Sequence, residues 1–399
     1  MKQAAKDIAA KMLQADPGAS FAVQFWDGDG FQVGDGTDFV VSFRTRAALG
    51  RTFGDGFLGF GESYMAGEIE VGGDLLELLR LGHLAGFGDQ KLSVKEAVRF
   101  LGLYLLHQNT KRQSKLNISH HYDVGNDFYA LCLDESMTYT CAYYRTPDDD
   151  LATAQRNKHE LVCRKLLLEK GMRVADLGCG WGGFLIHAAR TYGVTGVGVT
   201  RSQEQCDFAN RRIAEYGLQD RIEVRYQDYR DLDGEFDRVA TLGMLEHVGK
   251  RFIPTCAGKI EELLAPQGLA LLHFIGNDRP WPDDPWSMKY MFPGSHIPVL
   301  SNVIQALSMR DLEIRDIENL RQHYILTTRA WRDNYERNVD QIRAMFDEVF
   351  VRQWRLYWNL AISSFEWGGN RLFQILVSKG ANGTNNNTLP LTRAHLYRE

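Results

Sequence analysis

The 399-residue chain predicts an α/β protein: a doubly wound, mostly parallel sheet preceded by a small α+β domain. Three observations predict it. From about residue 150 onward, amphipathic helical stretches alternate with short apolar strands, the rhythm of βαβ units. One such strand runs into a glycine-rich turn and then a helix, "VADLGCGWGGF". Residues 1 to about 88 lack this rhythm and hold Asp-Gly turns between short alternating strands. A chain this long also exceeds what one hydrophobic core commonly organises, so two domains are expected.

In chain order, "FAVQFWDGDGFQVGDGTDFVVSF" reads as strands joined by tight turns, and "GESYMAGEIEVGGDLLELLRLG" as a turn, a strand and a short amphipathic helix. These make a domain over residues 1–90 with no catalytic signature of its own. Ser93 and Glu96 form a capping box. It opens a helix through Phe100, Leu103, Tyr104 and Leu106, which ends at the basic stretch "NTKRQSK"; residues 91–120 are therefore helix and linker. The larger domain, 121–380, carries the alternating pattern. Helix "TAQRNKHELVCRKLLLEKG" leads to strand "MRVADLGCG", helix "GGFLIHAARTYG" to strand "VTGVGVT", and helix "SQEQCDFANRRIAEYG" to strand "RIEVRYQD". Strand "FDRVATLGM", helix "IPTCAGKIEELLAP" and strand "GLALLHFIG" follow. The segments "HYILTTRAW" and "RLFQILVSKG" read as an antiparallel hairpin at the sheet edge, and 381–399 as a flexible polar tail.

Composition narrows the function classes. A net charge of −5, with 44% hydrophobic and 24% charged residues, describes an ordinary globular protein. It offers no basic face for nucleic acid. No signal-peptide core or membrane-spanning stretch is present, which makes the cytoplasm the expected location. The six cysteines have no CxxC pair and read as free thiols. Sequons at Asn117, Asn382 and Asn386 carry no weight without a secretory signal.

The glycine loop suggests a cofactor. Gly178, Gly180 and Gly183 let a ligand approach backbone and helix N-terminus, as in many dinucleotide sites. Asp176, two residues before the first glycine, would repel a pyrophosphate but suits a cationic amino acid head group. The second strand ends in Thr200–Arg201–Ser202, with no carboxylate to hold an NAD ribose. An amino acid end without phosphate points to S-adenosylmethionine. Gln227–Asp228 after the third strand suit an adenine amino group, or form a plain acidic loop.

In "RVATLGMLEHVGK" a buried strand breaks into Glu246 and His247. The pair reads as a metal site, an acid–base pair or two loop residues. No HxxxH or HxH spacing supplies further ligands, so no metal is expected.

The segments "NISHHYDVGNDFYALCLDESMTYTCAYY", "DLGCGWGG", "GVTRSQEQ", "QDYRDL", "LEHVG" and "LLHFIG" occur in one order, and with them the chain resembles the cyclopropane-fatty-acyl-phospholipid synthases, S-adenosylmethionine-dependent lipid methyltransferases. The resemblance covers roughly residues 90–378, and more loosely the N-terminal module through "GESYMAGEIEVGGDLLELL". It implies a seven-stranded, Rossmann-like class I methyltransferase sheet. It implies cofactor contacts from Tyr139, Thr140, Asp176, Gly178, Gly180, Thr200, Gln205, Gln227 and Asp228. Gln205 would be the ribose partner that replaces the missing carboxylate. Thr140 stands where serine is common, and Arg201 is a departure at the start of its loop.

The resemblance further implies a bicarbonate ion that removes the proton at ring closure. The residues around it would be Cys141 and Ile275, chiefly through backbone, with Glu246, His273 and Tyr324 through side chains. Each has an ordinary alternative: a core histidine at 273, a strand tyrosine at 324, a small buried hydrophobe at Cys141. His247 and the loop pair His120–His121 read as structural. The aromatic stretches "GNDRPWPDDPWSMKYMFPGSHIP" and "WRLYWNLAISSFEWGG" would wall an acyl channel. Lys111, Arg112 and Lys115 would meet lipid head groups or form a solvated charge run.

The expected activity is methyl transfer to the cis double bond of a phospholipid acyl chain at the inner membrane surface, closing a cyclopropane ring. Competing readings are a methylene or methyl-branched product, a non-lipid amine acceptor, and a catalytically silent lipid-binding protein of the same fold. A homodimer is compatible with the residues, which do not fix an oligomeric state.

Overall fold

The structure, a computed structural model, describes residues 1–87, 109–111, 113, 124–281, 283–380 and 389–397. The capping box at Ser93, most of the 91–120 linker, Arg112, Lys115, His120, His121 and the three sequons lie outside the described residues. The chain divides into two compact units.

The larger unit comprises His107–Pro282, Phe292–Thr327 and Asn370–Glu399. Its seven strands are β5 (Arg173–Leu177), β6 (Thr195–Thr200), β7 (Ile222–Tyr226), β8 (Phe236–Leu242), β9 (Leu264–Asn277), β10 (Leu312–Asn319) and β11 (Asn370–Lys379), in the order β10-β11-β9-β8-β5-β6-β7. β5 to β9 pair in parallel, and β11 runs antiparallel to both β9 and β10. The strands carry apolar residues on both faces, as a sheet covered by helices on both sides requires. Ala270, Leu272 and Phe274 of β9 join one core with Ile260 and Val303. Leu269 and Leu271 point the other way, into a core with Val162 and Leu166. The helix Leu151–Lys165 therefore lies over the face that carries the odd-numbered residues of β9.

The edge hairpin pairs other residues than the sequence predicts. "HYILTTRAW" is not a strand but part of the helix Arg321–Arg337, and β11 pairs with "LEIRDIEN". The buried residues Tyr324, Thr328, Trp331 and Tyr335 repeat at helical spacing. The Thr327 hydroxyl donates back to the His323 carbonyl at 2.6 Å, an arrangement β-branched polar residues use inside helices. The tail is also partly corrected. Arg393–Leu396 form a short 3₁₀ turn with Leu396 buried, Arg393 pairs with Asp316, and Arg164 donates to the Leu396 carbonyl at 3.3 Å. One apolar residue and two cation contacts hold what its polar composition suggested was free.

The smaller unit comprises Met1–Leu106, Asp283–Met291 and Thr328–Gly369. It is discontinuous, whereas the expected boundaries were linear. Its four strands are β1 (Phe21–Gln24), β2 (Gly30–Val33), β3 (Phe39–Phe43) and β4 (Ile69–Gly73), ordered β2-β1-β3-β4. "GESYM" closes the helix Arg46–Met65, and the expected turn, strand and short helix follow at residues 66–67, in β4 and in the helix Leu75–Leu84; the helix Arg46–Met65 is kinked at Gly56, whose φ of 57° favours glycine. Trp286, Trp331, Trp354 and Trp358 are fully buried here. Trp286 meets Phe57 edge-on, and Trp354 lies tilted against Trp358 with ring centroids 5.4 Å apart. Trp286, Trp354 and Trp358, among the rings expected to wall an acyl channel, thus lie in the core of this unit.

Candidate active site

Many of the candidate groups, Asp176, Gly178, Thr200, Gln227, Glu246, His273 and Ile275 among them, sit at or just beyond the carboxyl ends of the parallel strands of the larger unit, the usual ligand side of such sheets. β5 delivers Asp176 and then turns sharply. Gly178 and Gly180 hold φ of 79° and 54°, and the Gly178 and Cys179 amides donate to the Val199 carbonyl at 3.0 Å. A Cβ on Gly178 would lie 2.9 Å from Met244, so the position needs glycine for conformation and for space.

This turn opens a cavity lined by all nine candidate cofactor residues: Tyr139, Thr140, Asp176, Gly178, Gly180, Thr200, Gln205, Gln227 and Asp228. Asp176 is buried, its Oδ1 has no hydrogen-bond partner, and burial pushes its carboxyl up to about 7 against the pull of Lys158. The Thr200 hydroxyl donates to Gln205 Oε1 at 2.7 Å, which leaves the amide N–H groups for other acceptors. Gln227 donates to the Asp231 carbonyl at 2.7 Å. Both oxygens of Asp228 receive Arg230 at 2.7 Å; burial pushes this carboxyl up, but Arg230 and Arg201 carry it below the usual range.

The sequence reading did not single out Lys158. It is fully buried, lines the same cavity and donates to Thr140 Oγ1 at 2.9 Å. Burial lowers its ammonium to about 8, although Asp134 and Asp176 favour the charge. A signal was present: Gln155, Lys158, Val162 and Lys165 fall on one helical stripe, and all four are buried. Polar residues on the stripe a helix turns inward point to a function or a network.

None of the five candidate anion-site residues lines the cavity. They fall in two groups. Glu246 begins a single helical turn after β8, and its Oε1 accepts the Ile275 amide at 2.6 Å. Its Oε2 is buried without a partner, and burial pushes the carboxyl up to about 7. The Ile275 amide is therefore spent on Glu246, and this residue enters the site through that bond. His273, two residues earlier on β9, gives its carbonyl to the Gly243 amide at 2.7 Å. Its Nε2 is buried and unpartnered, and burial holds the ring neutral. Cys141 and Tyr324 form the second group: the Cys141 thiol faces the Leu320 carbonyl at 4.0 Å, and the Tyr324 amide donates to the same carbonyl at 3.2 Å. Burial pushes the thiol up, which removes it as a nucleophile at neutral pH. His247 points away from these groups into the cofactor cavity and packs near Phe292.

Comparison with known proteins places this arrangement. Residues 108–375 match the family described as mycolic acid cyclopropane synthetase, and residues 8–83 match a domain of unknown function. A probable fatty acid methyltransferase of Pseudomonas putida is 34% identical over 94% of this chain and 96% of its own. The cyclopropane-fatty-acyl-phospholipid synthase of Escherichia coli is 35% identical over 83% of this chain and 85% of its own. The crystal structure of mycolic acid cyclopropane synthase CmaA1 complexed with SAH and CTAB superposes with a TM-score of 0.64 at 28% identity, covering 66% of this chain and 98% of that one. With a family match over most of its length and two relatives above a third identity, the chain belongs to the mycolic acid cyclopropane synthetase family of S-adenosylmethionine-dependent lipid methyltransferases.

Proposed function

We propose that this enzyme methylates the cis double bond of an unsaturated acyl chain in a membrane phospholipid and closes a cyclopropane ring, with a bicarbonate ion held by Cys141, Glu246, His273, Ile275 and Tyr324. The observation that carries the reading is a pair of buried polar atoms without partners, Glu246 Oε2 and His273 Nε2, at adjacent strand ends beside the cofactor cavity. Buried polar atoms are left unpaired at a cost, so an unpaired acceptor and an unpaired imidazole nitrogen together fit a small ligand with both hydrogen-bonding characters.

S-adenosylmethionine, when bound, supplies an electrophilic methyl group. Asp176 would accept its ammonium, Gly178 and Gly180 would let its chain approach the backbone, Gln205 and Thr200 would meet the ribose, and Gln227 and Asp228 the adenine. Bicarbonate, when bound, supplies a proton acceptor in a pocket with no strong base of its own. Glu246 orients it by accepting from its hydroxyl, while His273 and Tyr324 donate to its oxygens. Such fixed dipoles act strongly where water is excluded. Among the described residues no helix is long and apolar enough to cross a membrane, which accords with peripheral attachment to the lipid surface.

The test incubates purified enzyme with labelled S-adenosylmethionine and vesicles of monounsaturated phosphatidylglycerol, followed by mass analysis of the fatty esters. A gain of one CH₂ with ring fragmentation, dependent on added bicarbonate, is expected. A methylene or methyl-branched ester would replace the ring assignment with the alternative product, and unchanged lipid would overturn the substrate.

A further inference from the structure

A row of polar side chains crosses the sheet behind the anion site. Glu318 of β10 pairs in register with Gln374 of β11, which pairs with His273 of β9. Gln374 and His273 are almost wholly buried, on the face covered by the helix Leu151–Lys165. That helix ends in Lys165, also buried, which forms an ion pair with Glu318 and donates to Gln374 Oε1 at 2.8 Å. Gln374 Nε2 lies 3.1 Å from His273 Nδ1.

The direction of each bond follows from chemistry. An ammonium paired with a carboxylate only donates, so the amide atom facing Lys165 must be the carbonyl oxygen. The amide cannot be turned over without setting its NH₂ against Lys165. The atom facing His273 is then the NH₂, a donor, and Nδ1 must accept. A neutral imidazole with Nδ1 as acceptor carries its proton on Nε2, the atom left without a partner.

We propose that Lys165 and Gln374 are positioning residues that lock His273 as the neutral Nε2–H tautomer, so that it serves the anion site as a hydrogen-bond donor and never as the base. This rests on the anion-site reading above for its use, but not for the tautomer itself. Burial first, and then Lys158 and Lys165, the cations that bear on His273, oppose a positive ring and leave the lock intact across neutral pH. Burial lowers the Lys165 ammonium, and the contact with Glu318, with Asp316 4.0 Å away, opposes that and favours the charged form.

The closing experiment separates the two readings. In ¹⁵N-histidine-labelled full-length enzyme, with the His273 signals assigned by their loss in His273→Asn, one neutral tautomer protonated at Nε2 is expected, unchanged between about pH 6 and 8, where an ordinary histidine titrates. Protonation at Nδ1, an average of both tautomers, or titration in that range would overturn the proposal whatever the lipid product. In Gln374→Leu the single tautomer should give way to a mixture. Its kcat should fall about 10- to 100-fold, by analogy with metal-bound histidines that lose the partner orienting them. KM for S-adenosylmethionine should not change. His273→Gln, which can place an amide N–H near the lost Nε2–H, should retain more activity than His273→Asn. Equal inactivity of these two with an intact Nε2–H tautomer in the native enzyme would keep the lock and reject the donor role.

Discussion

At the scale of single residues, Glu246 joins stability to chemistry. Its carboxyl is pushed up to about 7 by burial, with the Ile275 amide only partly offsetting this. Below the ordinary carboxylate range both the folded and unfolded chains hold the proton, and nothing is lost. Between about pH 4 and 7 only the folded chain holds it, so the stability contribution of this group declines as pH rises. Above 7 the native state carries a buried charge at full cost. Glu246→Gln keeps an oxygen for the Ile275 amide and removes the charge. Its melting temperature should therefore exceed wild type by a margin that widens from pH 5 to pH 8, the gain in unfolding free energy reaching on the order of 2–4 kcal/mol at the upper end. Cofactor affinity should be kept while turnover falls about 100-fold or more; a constant margin in melting temperature, or near-normal turnover, would reject the assignment. Asp176→Asn should do the opposite to binding. Losing a charged hydrogen-bond acceptor for the ammonium costs about 1.5–3 kcal/mol, or roughly 10- to 100-fold in the dissociation constant read by calorimetry.

At the scale of elements, what could be read from the sequence depended on how local the cause was. The βαβ rhythm and the glycine turn are written in consecutive residues, and the strands β5 to β9 emerge where those residues put them. The edge hairpin went wrong because Ile325, Thr327 and Thr328 favour strands, while the burial of Tyr324, Thr328, Trp331 and Tyr335 along one stripe favours a helix. Tertiary packing decided the matter. The nine cofactor candidates line one cavity, several of them at strand ends; Lys158 carried only the spacing of its helix stripe, and Lys165 and Gln374 carried no mark, since a buried lysine or glutamine looks like a surface residue until its partners are known. The glycine turn allows a direct test. Gly171 and Gly178 both hold positive φ, but a Cβ at Gly171 meets nothing within 4 Å whereas one at Gly178 meets Met244. Gly171→Ala should cost about 1–2 kcal/mol from backbone conformation alone. Gly178→Ala should cost more and weaken S-adenosylmethionine binding, measured by chemical denaturation and calorimetry. Equal costs would show that Met244 moves aside and that the steric reading is wrong.

At the scale of the whole molecule, the discontinuity of the smaller unit was the feature least open to sequence reading, because nothing local marks Asp283–Met291 or Thr328–Gly369 as belonging with the first hundred residues. The family match over 108–375 runs straight through both segments, and the match over 8–83 stops before either. Yet the helix Glu348–Glu366 packs on the helices Arg46–Met65 and Leu75–Leu84, and Trp286 fills the space left by Gly61 while its indole faces Met65 at 3.3 Å. Arg352 adds hydrogen bonds to the Tyr64 carbonyl at 3.0 Å and to Glu70 at 2.6 Å. A fragment of residues 1–106 would thus present the helices Arg46–Met65 and Leu75–Leu84 with much of their apolar partner surface missing. The fragment should show no cooperative thermal transition and no near-ultraviolet circular dichroism, and in the full chain Trp286→Ala should cost about 3–5 kcal/mol, the range for emptying a buried aromatic site. A sharp transition in the isolated fragment would mean that the first hundred residues form a domain by themselves, with the later segments added to a finished core. The combination expected instead, an unfolded fragment and a destabilised Trp286→Ala chain, would make the smaller unit depend for its folding on segments more than 180 residues downstream of its first strand.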